Sequence, residues 1–556
     1  MQDMELASTE HKEDDQLDLG DNPLSECIRE TADGEIPNMP LSVTSDQLHE
    51  QARWSTSWVS RSRDGARFLL FALLLIAMQY RSGAFTVDLA SDADEPAHAV
   101  SSLMVHDYLT QAFPRSPLKS AWMFYAHYPK VAIGHWPPLF YCGEALWMLI
   151  AGRSQRALLL FVALCGAALL SSIYFEVRRQ SSAAAAMVSV SVLLTTGIFQ
   201  KLVCGVHPDL LLALVIFWAA IYCADFMAFE SPRSRNLYLG FGTAALLVHG
   251  RGGVVLLLPF CLLVLRRRVV NWKWLVAGLA VLLFMLLMPH AIHEASSFSV
   301  IGLPERAYEF LAGVVTLTGW LGTMLALVGL WRLFTRDSQR PFWAAMAGVG
   351  VCGLVFHLLV PVPFDSRYMM PTLVAVAALA GGGTQTIVER VSRASSRRRR
   401  ALYAAIGTAS LVSMAIATAC VPAKPDHGYR GMIANCLLCG DEVTLVAGGG
   451  VDEGGLIAEA SLADPMRLHT VLRASKVLAE TDWSRSYTQL RFASAAEVDG
   501  FLDQAGVSQV VLGGESQYEE DIQLRAAMTR QGSGWEREPR VSGANRIEIY
   551  RRMRPE

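Results

Sequence analysis

Residues 67–98 read RFLLFALLLIAMQYRSGAFTVDLASDADEPAH, a mostly apolar run that is followed directly by a cluster of carboxylates. A transmembrane helix needs about 20 predominantly apolar residues, so the first part of this stretch is long enough to span a bilayer. Similar runs occur along the chain at 157–177, 184–204, 209–229, 237–250, 252–266, 273–290, 309–332, 342–362, 368–387 and 401–421. The sequence therefore predicts a mainly α-helical, polytopic membrane protein with about eleven transmembrane helices.

The composition supports a membrane protein. Of the 556 residues, 52% are hydrophobic and 18% are charged, whereas soluble domains usually have about 25% charged residues. Residues 1–50 contain 14 acidic and 2 basic residues, but residues 51–421 contain 17 acidic and 31 basic ones. These basic residues lie between apolar runs and do not form a continuous basic surface. No nucleic-acid partner is therefore expected. An ordinary cytosolic enzyme is not expected from this composition.

The basic residues also predict an orientation, because Lys and Arg collect in the cytoplasmic loops of membrane proteins. If the N-terminus is cytoplasmic, the even-numbered runs end beside basic clusters at Arg178–Arg179, Arg233–Arg235, Arg266–Arg268, Arg332–Arg340 and Arg390–Arg400. The opposite loops carry single bases, namely Lys201, Arg251, Arg306 and Arg367. The long loop 88–156 and the C-terminal residues 422–556 are then extracytoplasmic.

Three regions follow from these patterns. Residues 1–60 are acidic and aperiodic, which predicts a disordered cytoplasmic tail. Residues 67–421 form the membrane domain, with a catalytic external loop at 88–156. Residues 422–556 are expected to form a small extracytoplasmic α/β domain, with strands at Val443–Ala447, Val507–Gly513 and Arg546–Tyr550 and a helix at Ala495–Ala505.

Ionisable residues stand at the predicted outer ends of several spans. Asp92, Asp94 and Glu95 follow the first span, and Pro96 marks the start of an amphipathic helix, Ala97–Leu109, that is predicted to lie on the membrane. The other polar positions are His98, Lys130, His135, Asp209, Arg251 and Arg367. Ionisable residues at membrane depth are costly and mark functional sites. Each one alone is also compatible with a solvated loop or an interfacial anchor, but all lie on one predicted side.

In this order the motifs resemble the membrane glycosyltransferases that use polyprenyl-phosphate sugars, the GT-C superfamily. These include the protein O-mannosyltransferases and the bacterial aminoarabinose transferases that act on lipid A. The resemblance covers roughly 67–390 and rests on Asp94-Glu95, Lys130–Leu139, Arg251-Gly252 and Arg367–Pro371. Arg251 replaces a commoner Lys, His135 stands where other bases are frequent, and no β-trefoil insertion is visible. A bacterial plasma-membrane protein is therefore favoured.

The resemblance implies that a sugar moves from a polyprenyl-phosphate donor to a lipid, glycan or protein acceptor on the extracytoplasmic side. Asp94 is then the general base, with Glu95 beside it as the second catalytic residue. Lys130, His135, Arg251 and Arg367 would bind the donor phosphate, and His98 and Asp209 would line the acceptor pocket. Membrane lipids are further partners.

No cofactor is required for this chemistry. Asp92 and Asp94 could share a divalent cation, although no ordered metal-ligand spacing accompanies them. Cys436 and Cys439 are spaced as CxxC without a second pair, so a disulfide or two idle thiols is favoured over a zinc site.

Two alternatives stay open at the level of sequence. One is a non-enzymatic transporter or flippase with a soluble partner-binding domain, and the other is a relative that has lost its chemistry. Transporters place charges near the midplane and often have repeated halves. In this chain the ionisable residues gather at one face and no repeat is apparent, which favours the enzyme.

Overall fold

The computed structural model describes residues 58–131, 134, 136–265, 302–334, 341–360, 364–393, 395–434, 443–481, 488–513, 518–538 and 547–553. The helices up to the last apolar run are α1 Trp58–Arg81, α2 Glu95–Asp107, α3 Pro117–His127, α4 Leu139–Ala151, α5 Gln155–Gln180, α6 Ala183–Leu194, α7 Gly197–Val203, α8 Asp209–Phe229, α9 Pro232–Val248, α10 Leu258–Leu265, α11 Leu303–Trp331, α12 Pro341–Leu359, α13 Met370–Val391 and α14 Ser396–Ala419. Short 3₁₀ segments, Gly250–Leu257 and Ser366–Met369, precede α10 and α13.

The C-terminal segment alternates between helices and strands. Its elements are α15 Tyr429–Met432, β1 Val443–Ala447, α16 Gly450–Ala463, β2 Thr470–Arg473, α17 Ala474–Val477, β3 Ala479–Thr481, β4 Thr488–Leu490, α18 Ala495–Gln504, β5 Val507–Gly513, α19 Glu519–Thr529, β6 Trp535–Arg537 and β7 Ile547–Arg552. The described residues from Asp64 onward belong to one compact unit.

Six helices in the described part of the chain are long and apolar enough to cross a membrane. They are Gln155–Gln180, Asp209–Phe229, Pro304–Trp331, Pro341–Leu359, Ser366–Val391 and Ser396–Ala419. A seventh results if α6 and α7, which are bent by 75°, make one span. The predicted count of eleven is therefore not confirmed, and the predicted run 273–290 lies outside the described residues.

The predicted run 184–204 is broken and is not one straight helix. The Thr196 side chain caps α7 by accepting a hydrogen bond from the Phe199 N–H, and its hydroxyl donates to the Leu193 carbonyl at 2.8 Å. One hydroxyl thus serves both helix ends at the bend. Such compensation is what lets an interrupted helix exist at membrane depth, where water cannot satisfy free backbone groups.

Helices α11 and α13 approach each other closely through two glycines. A Cβ built on Gly383 would lie 1.9 Å from the Leu325 carbonyl oxygen, and one on Gly329 would lie 1.9 Å from the Leu379 carbonyl oxygen. Small residues allow backbones to pack this tightly in membrane bundles. The contact holds α13 in place, and the 3₁₀ segment that leads into α13 carries Arg367.

Helix α2 begins where the sequence predicted, with Pro96 in its first turn. The helix does not show the exposed apolar face that is expected of an amphipathic helix lying on a membrane. Eleven of its thirteen residues are buried, because α4 covers one side and α16 of the C-terminal segment covers another. The helix is therefore an internal support for the acidic residues that precede it.

The C-terminal strands form a mixed five-stranded sheet in the order β2-β1-β5-β7-β6. Strands β2, β1 and β5 are parallel, and β7 and β6 are antiparallel. Strands β1 and β5 match the predicted ranges, and β7 and α18 match to within a few residues. On α16, Leu456, Ile457 and Ala458 belong to the same hydrophobic cluster as the membrane helices. This α/β region is thus packed onto the helical part of the chain.

We expect Gly383→Ala to destabilise the protein, because its Cβ would collide with backbone atoms that cannot rotate away. The melting temperature in detergent should fall by several degrees. Gly407→Ala on α14 is the matched control, since a Cβ at Gly407 meets nothing within 4 Å. Equal melting temperatures for the two variants would contradict the close contact between α11 and α13.

Candidate active site

A cluster of charged side chains forms where the residues before α2 meet the 3₁₀ segment before α13. Arg367 Nη2 lies 2.8 Å from Asp94 Oδ2 and 2.7 Å from Asp365 Oδ2. Arg367 Nη1 is 4.0 Å from Asp92 Oδ2. Three carboxylates therefore surround one guanidinium, and the Arg367 side chain is only 11% exposed. Chain segments more than 270 residues apart meet at this point.

Asp92 organises the acidic segment. Its Oδ1 accepts hydrogen bonds from the backbone N–H groups of Asp94 and Glu95, both at 3.0 Å. Its Oδ2 lies 2.9 Å from Lys201 Nζ and 3.6 Å from His207 Nε2. Burial alone would raise the pKa of the Asp92 carboxyl, but His207, Lys201 and Arg367 outweigh burial and hold this pKa well below its usual value. Asp92 therefore stays ionised and fixes the backbone that carries Asp94.

Arg251 is the second cation of the site. Its Nη1 lies 2.9 Å from Asp209 Oδ1, at the start of α8. Its guanidinium carbon lies 4.3 Å from the centre of the Tyr368 ring, a cation–π contact. Because Tyr368 follows Arg367 directly in the chain, this contact brings the two arginines to the same region.

A cavity extends from Arg251 and Tyr368 between the helices. Its remaining described lining residues are mostly apolar: Leu212, Val254, Phe310, Val349, Gly353, Phe356, His357, Phe364, Met369, Pro371 and Thr372. One end of this cavity is therefore cationic, and the rest of its described wall is mostly apolar.

Glu95 is completely buried and its carboxylate is fully engaged. Its Oε1 lies 2.5 Å from Lys424 Nζ and accepts from the Val206 N–H at 3.2 Å. Its Oε2 accepts from the Ser91 N–H at 2.7 Å. Lys424 is buried as well. The sequence predicted Glu95 as a catalytic residue, whereas the geometry suits a residue that fixes the backbone beside Asp94.

His98 is enclosed by aromatic rings and is only 3% exposed. Its ring stacks on Trp136 at 4.2 Å, and its Nδ1 lies 2.8 Å from the Tyr141 hydroxyl. Burial, assisted by the nearby His207, lowers the pKa of His98 well below its usual value, so the ring is neutral at physiological pH. A predicted acceptor-pocket residue is thus placed in a packed environment next to Asp92 and Asp94.

Lys130 lies against the C-terminal segment. Its Nζ donates to the Gly450 carbonyl at 3.4 Å, and a Cβ on Gly454 would meet both Lys130 and Pro96. Lys130 therefore lies beside Pro96 in the first turn of α2. Pro96 is two residues after Asp94 in the chain. His135, Cys436 and Cys439 lie outside the described residues.

Several residues of the site were not assigned from the sequence: Lys201, His207, Asp365, Tyr368 and Lys424. His207 and Tyr368 adjoin residues that were selected, and their polar or aromatic character at a span end was an available signal. Lys424 pairs with a residue 329 positions earlier in the chain, and no local pattern indicates such a partner.

The described residues contain no group of three or more His, Cys, Asp or Glu side chains arranged to hold a metal ion. Asp92 and Asp94, which the sequence suggested for a shared divalent cation, have Lys201 and Arg367 as their neighbours at 2.9 Å and 2.8 Å. Their charges are therefore balanced by side chains of this protein.

Comparison with known proteins gives a consistent result for the fold. A family model described as dolichyl-phosphate-mannose-protein mannosyltransferase matches residues 135–293. The crystal structure of ArnT from Cupriavidus metallidurans bound to undecaprenyl phosphate is similar with a TM-score of 0.55 and 16% identity, over 87% of this chain and 97% of that chain. No curated protein matches the chain in sequence.

Two further solved structures are similar. ArnT in the apo state gives a TM-score of 0.53 and 15% identity, over 87% of this chain and 96% of that chain. The Archaeoglobus fulgidus oligosaccharyltransferase complex with Zn and sulfate gives a TM-score of 0.52 and 12% identity, over 80% of this chain and 67% of that chain. The chain is thus a multi-pass membrane protein with the GT-C fold, and the resemblance to the polyprenyl-phosphate-dependent glycosyltransferases is confirmed at the level of fold.

We expect single substitutions in the Glu95–Lys424 pair to destabilise the protein strongly. Glu95→Gln or Lys424→Met leaves one buried charge unpaired, which costs about 3–5 kcal/mol, whereas the double variant should recover much of that loss. Thermal unfolding in detergent measures the effect. Arg179→Ala, which removes a partly exposed pair with Glu176, is the control and should cost less than about 1 kcal/mol. Unchanged stability of Glu95→Gln together with lost activity would instead make Glu95 a catalytic residue.

Proposed function

We propose that this protein transfers a sugar from a polyprenyl-phosphate donor to a hydroxyl group of a lipid, glycan or protein acceptor. The observation that carries the proposal is the ion pair between Asp94 and Arg367, 2.8 Å apart, beside Arg251, which contacts the ring of Tyr368. These residues come from distant parts of the chain and gather at the ends of apolar helices. That placement suits a substrate whose reacting group lies at the membrane surface and whose tail lies in the bilayer.

In the proposed reaction the acceptor oxygen attacks the anomeric carbon of the sugar and the bond to the phosphate oxygen breaks, with inversion. Asp94 takes the acceptor proton as general base. The side chain of Asp94 is 27% exposed, so an acceptor hydroxyl can reach its free oxygen. The polyprenyl phosphate leaves as an anion, and the nearby cations stabilise the charge that develops on it.

Arg251 is the best candidate for the principal phosphate ligand. Among the described residues it forms an ion pair with one carboxylate, Asp209, whereas Arg367 has three carboxylates within ion-pair distance. Arg251 also lies at one end of the mostly apolar cavity between the helices. The similarity to ArnT, which was solved bound to undecaprenyl phosphate, supports a lipid phosphate as the donor in this chain as well. Lys130 and Arg367 supply further positive charge nearby.

The transporter alternative is not favoured. The similar solved structures include ArnT and an oligosaccharyltransferase, and the ionisable residues gather at one end of the spans. Transporters bind their substrates near the midplane, between repeated halves.

Asp94→Asn should abolish transfer, because the amide keeps the size of the side chain but cannot accept the proton. We expect kcat to fall by about 10²–10⁴-fold with little change in donor affinity. The measurement is transfer of labelled sugar from polyprenyl phosphate by purified protein in detergent. Asp503→Asn, at a carboxylate that is 70% exposed on the C-terminal segment, is the matched control. If Asp94→Asn transfers sugar at the wild-type rate, Asp94 is not the general base.

We also propose that the site and the C-terminal region face outward from a bacterial plasma membrane, with a cytoplasmic N-terminus. A reporter that fluoresces only in the cytoplasm, fused after Glu556, should then be dark, and the same reporter fused before Met1 should be bright. A bright C-terminal fusion would reverse the proposed sidedness.

A further inference from the structure

Six large apolar side chains are exposed on two segments outside the spanning helices. They are between 53% and 71% exposed and comprise Phe113, Leu118, Trp122, Met123, Met466 and Leu468. We call these six residues the apolar patch. Exposed clusters of this kind mark binding sites for proteins or membranes.

The two segments of the patch are fastened together. Arg467 Nη2 donates to Gln111 Oε1 at 2.6 Å, and Gln111 Nε2 donates to the Pro465 carbonyl at 3.1 Å. The Arg467 guanidinium also lies 5.9 Å from the centre of the Phe124 ring on α3. Met466 and Leu468 flank Arg467 in the chain, so they are held beside α3.

Helix α3 has one side buried against the protein and an opposite side that is exposed but carries apolar residues. Its buried side, Ser120, Ala121 and Phe124, faces the protein. Its opposite side carries Leu118 and Trp122 one helical turn apart, next to Lys119, and all three are exposed. An apolar outer face on a helix outside the spans is typical of helices that lie in a membrane interface, where Trp is favoured.

A network around Arg153 links the segments of the patch to the start of a helix that is long and apolar enough to span a membrane. Arg153 stands two residues before the spanning helix α5. Its side chain donates to both carboxylate oxygens of Asp107 at 3.0 and 3.3 Å and to the carbonyls of Ser461 and Leu462 at 2.7 and 2.9 Å. The segments that carry the patch begin only a few residues after Asp107 and Leu462. They therefore start at the membrane boundary.

The charges beside the patch are of one sign. Arg115 and Lys119 are exposed and Arg467 is partly exposed. The two carboxylates in these segments, Asp107 and Asp464, are buried, and Asp464 accepts a hydrogen bond from the Tyr128 hydroxyl at 2.6 Å. Basic residues near a bilayer are attracted to anionic headgroups by about 1 kcal/mol each.

We propose that the apolar patch inserts into the headgroup region of an anionic bilayer and anchors the β2 edge of the C-terminal sheet to the membrane. A membrane explains the apolar side chains, the uniform positive charge and the position beside the start of α5 together. The anchor holds the C-terminal segment at the membrane while α16 packs on α2. This inference does not depend on the proposed transfer reaction.

The test measures the depth of Met466 in the bilayer. Met466→Cys is labelled with an environment-sensitive fluorophore in a Cys420→Ala background, because Cys420 is exposed, and the signal of the labelled parent is subtracted. The protein is placed in nanodiscs with about one third phosphatidylglycerol and spin-labelled lipids. Met553→Cys is the matched control: Met553 is 56% exposed and follows β7, which pairs with β6 at the other edge of the sheet.

We expect lipid quenching at position 466 to exceed that at position 553 by at least about twofold. The combined substitution Arg115→Glu and Lys119→Glu should reduce quenching at 466 in anionic nanodiscs and leave the weaker signal in phosphatidylcholine nanodiscs unchanged. Equal quenching at 466 and 553 would overturn the proposal. The proposal would also be overturned if the label at 466 is already buried in detergent and the purified protein is larger than a monomer. That result would assign the patch to contact with a second copy of the chain. Quenching that ignores lipid charge would overturn the anionic preference.

Discussion

The buried ion pair between Glu95 and Lys424 holds the site together. Glu95 is the first residue of α2, and Lys424 follows the last apolar helix, so the pair ties the two ends of the membrane domain at one point. A charged pair without solvent is stable only when its remaining hydrogen-bonding capacity is filled. The Ser91 and Val206 N–H groups meet that requirement for Glu95. The backbone on either side of Asp94 is thereby fixed before any substrate arrives.

The carboxylates near each arginine suggest different roles for Arg367 and Arg251. Arg367 is surrounded by Asp92, Asp94 and Asp365, and burial of Asp365 is outweighed by its bonds to Arg367, which hold the pKa of Asp365 below its usual value. A phosphate that approached Arg367 alone would meet this negative charge. Within the described part of the chain, Arg251 forms an ion pair with one carboxylate, Asp209, and contacts an aromatic ring, so it offers more net attraction to an anion. In the proposed mechanism, Arg367 therefore acts mainly to orient Asp94, and Arg251 to bind the donor.

Much of this arrangement was predictable from the sequence because membranes impose strong local rules. The runs at 157–177, 209–229 and 342–362 became helices close to those bounds, since hydropathy alone decides them. Asp94, Arg251 and Arg367 stand out in the sequence because ionisable residues at span ends are expensive, and their roles in the site follow from the resemblance of their motifs to the GT-C superfamily. The bend after Leu194 and the burial of α2 were missed. Both depend on partners distant in the chain, and neither alters the local pattern of apolar residues.

The C-terminal segment shows the same limit most clearly. Strands β1 and β5 are predictable from their short apolar runs, but α16 has an apolar, glycine-rich face whose role only the packing reveals. Because Gly454 and Gly455 have no side chains, α16 packs closely against Pro96, Lys130, Ala90 and Tyr429. A larger residue at either position would push the C-terminal segment away from the acidic loop. The C-terminal segment therefore packs beside the loop that carries Asp94. Although its sequence suggests a separate domain, it is a structural element of the proposed catalytic site.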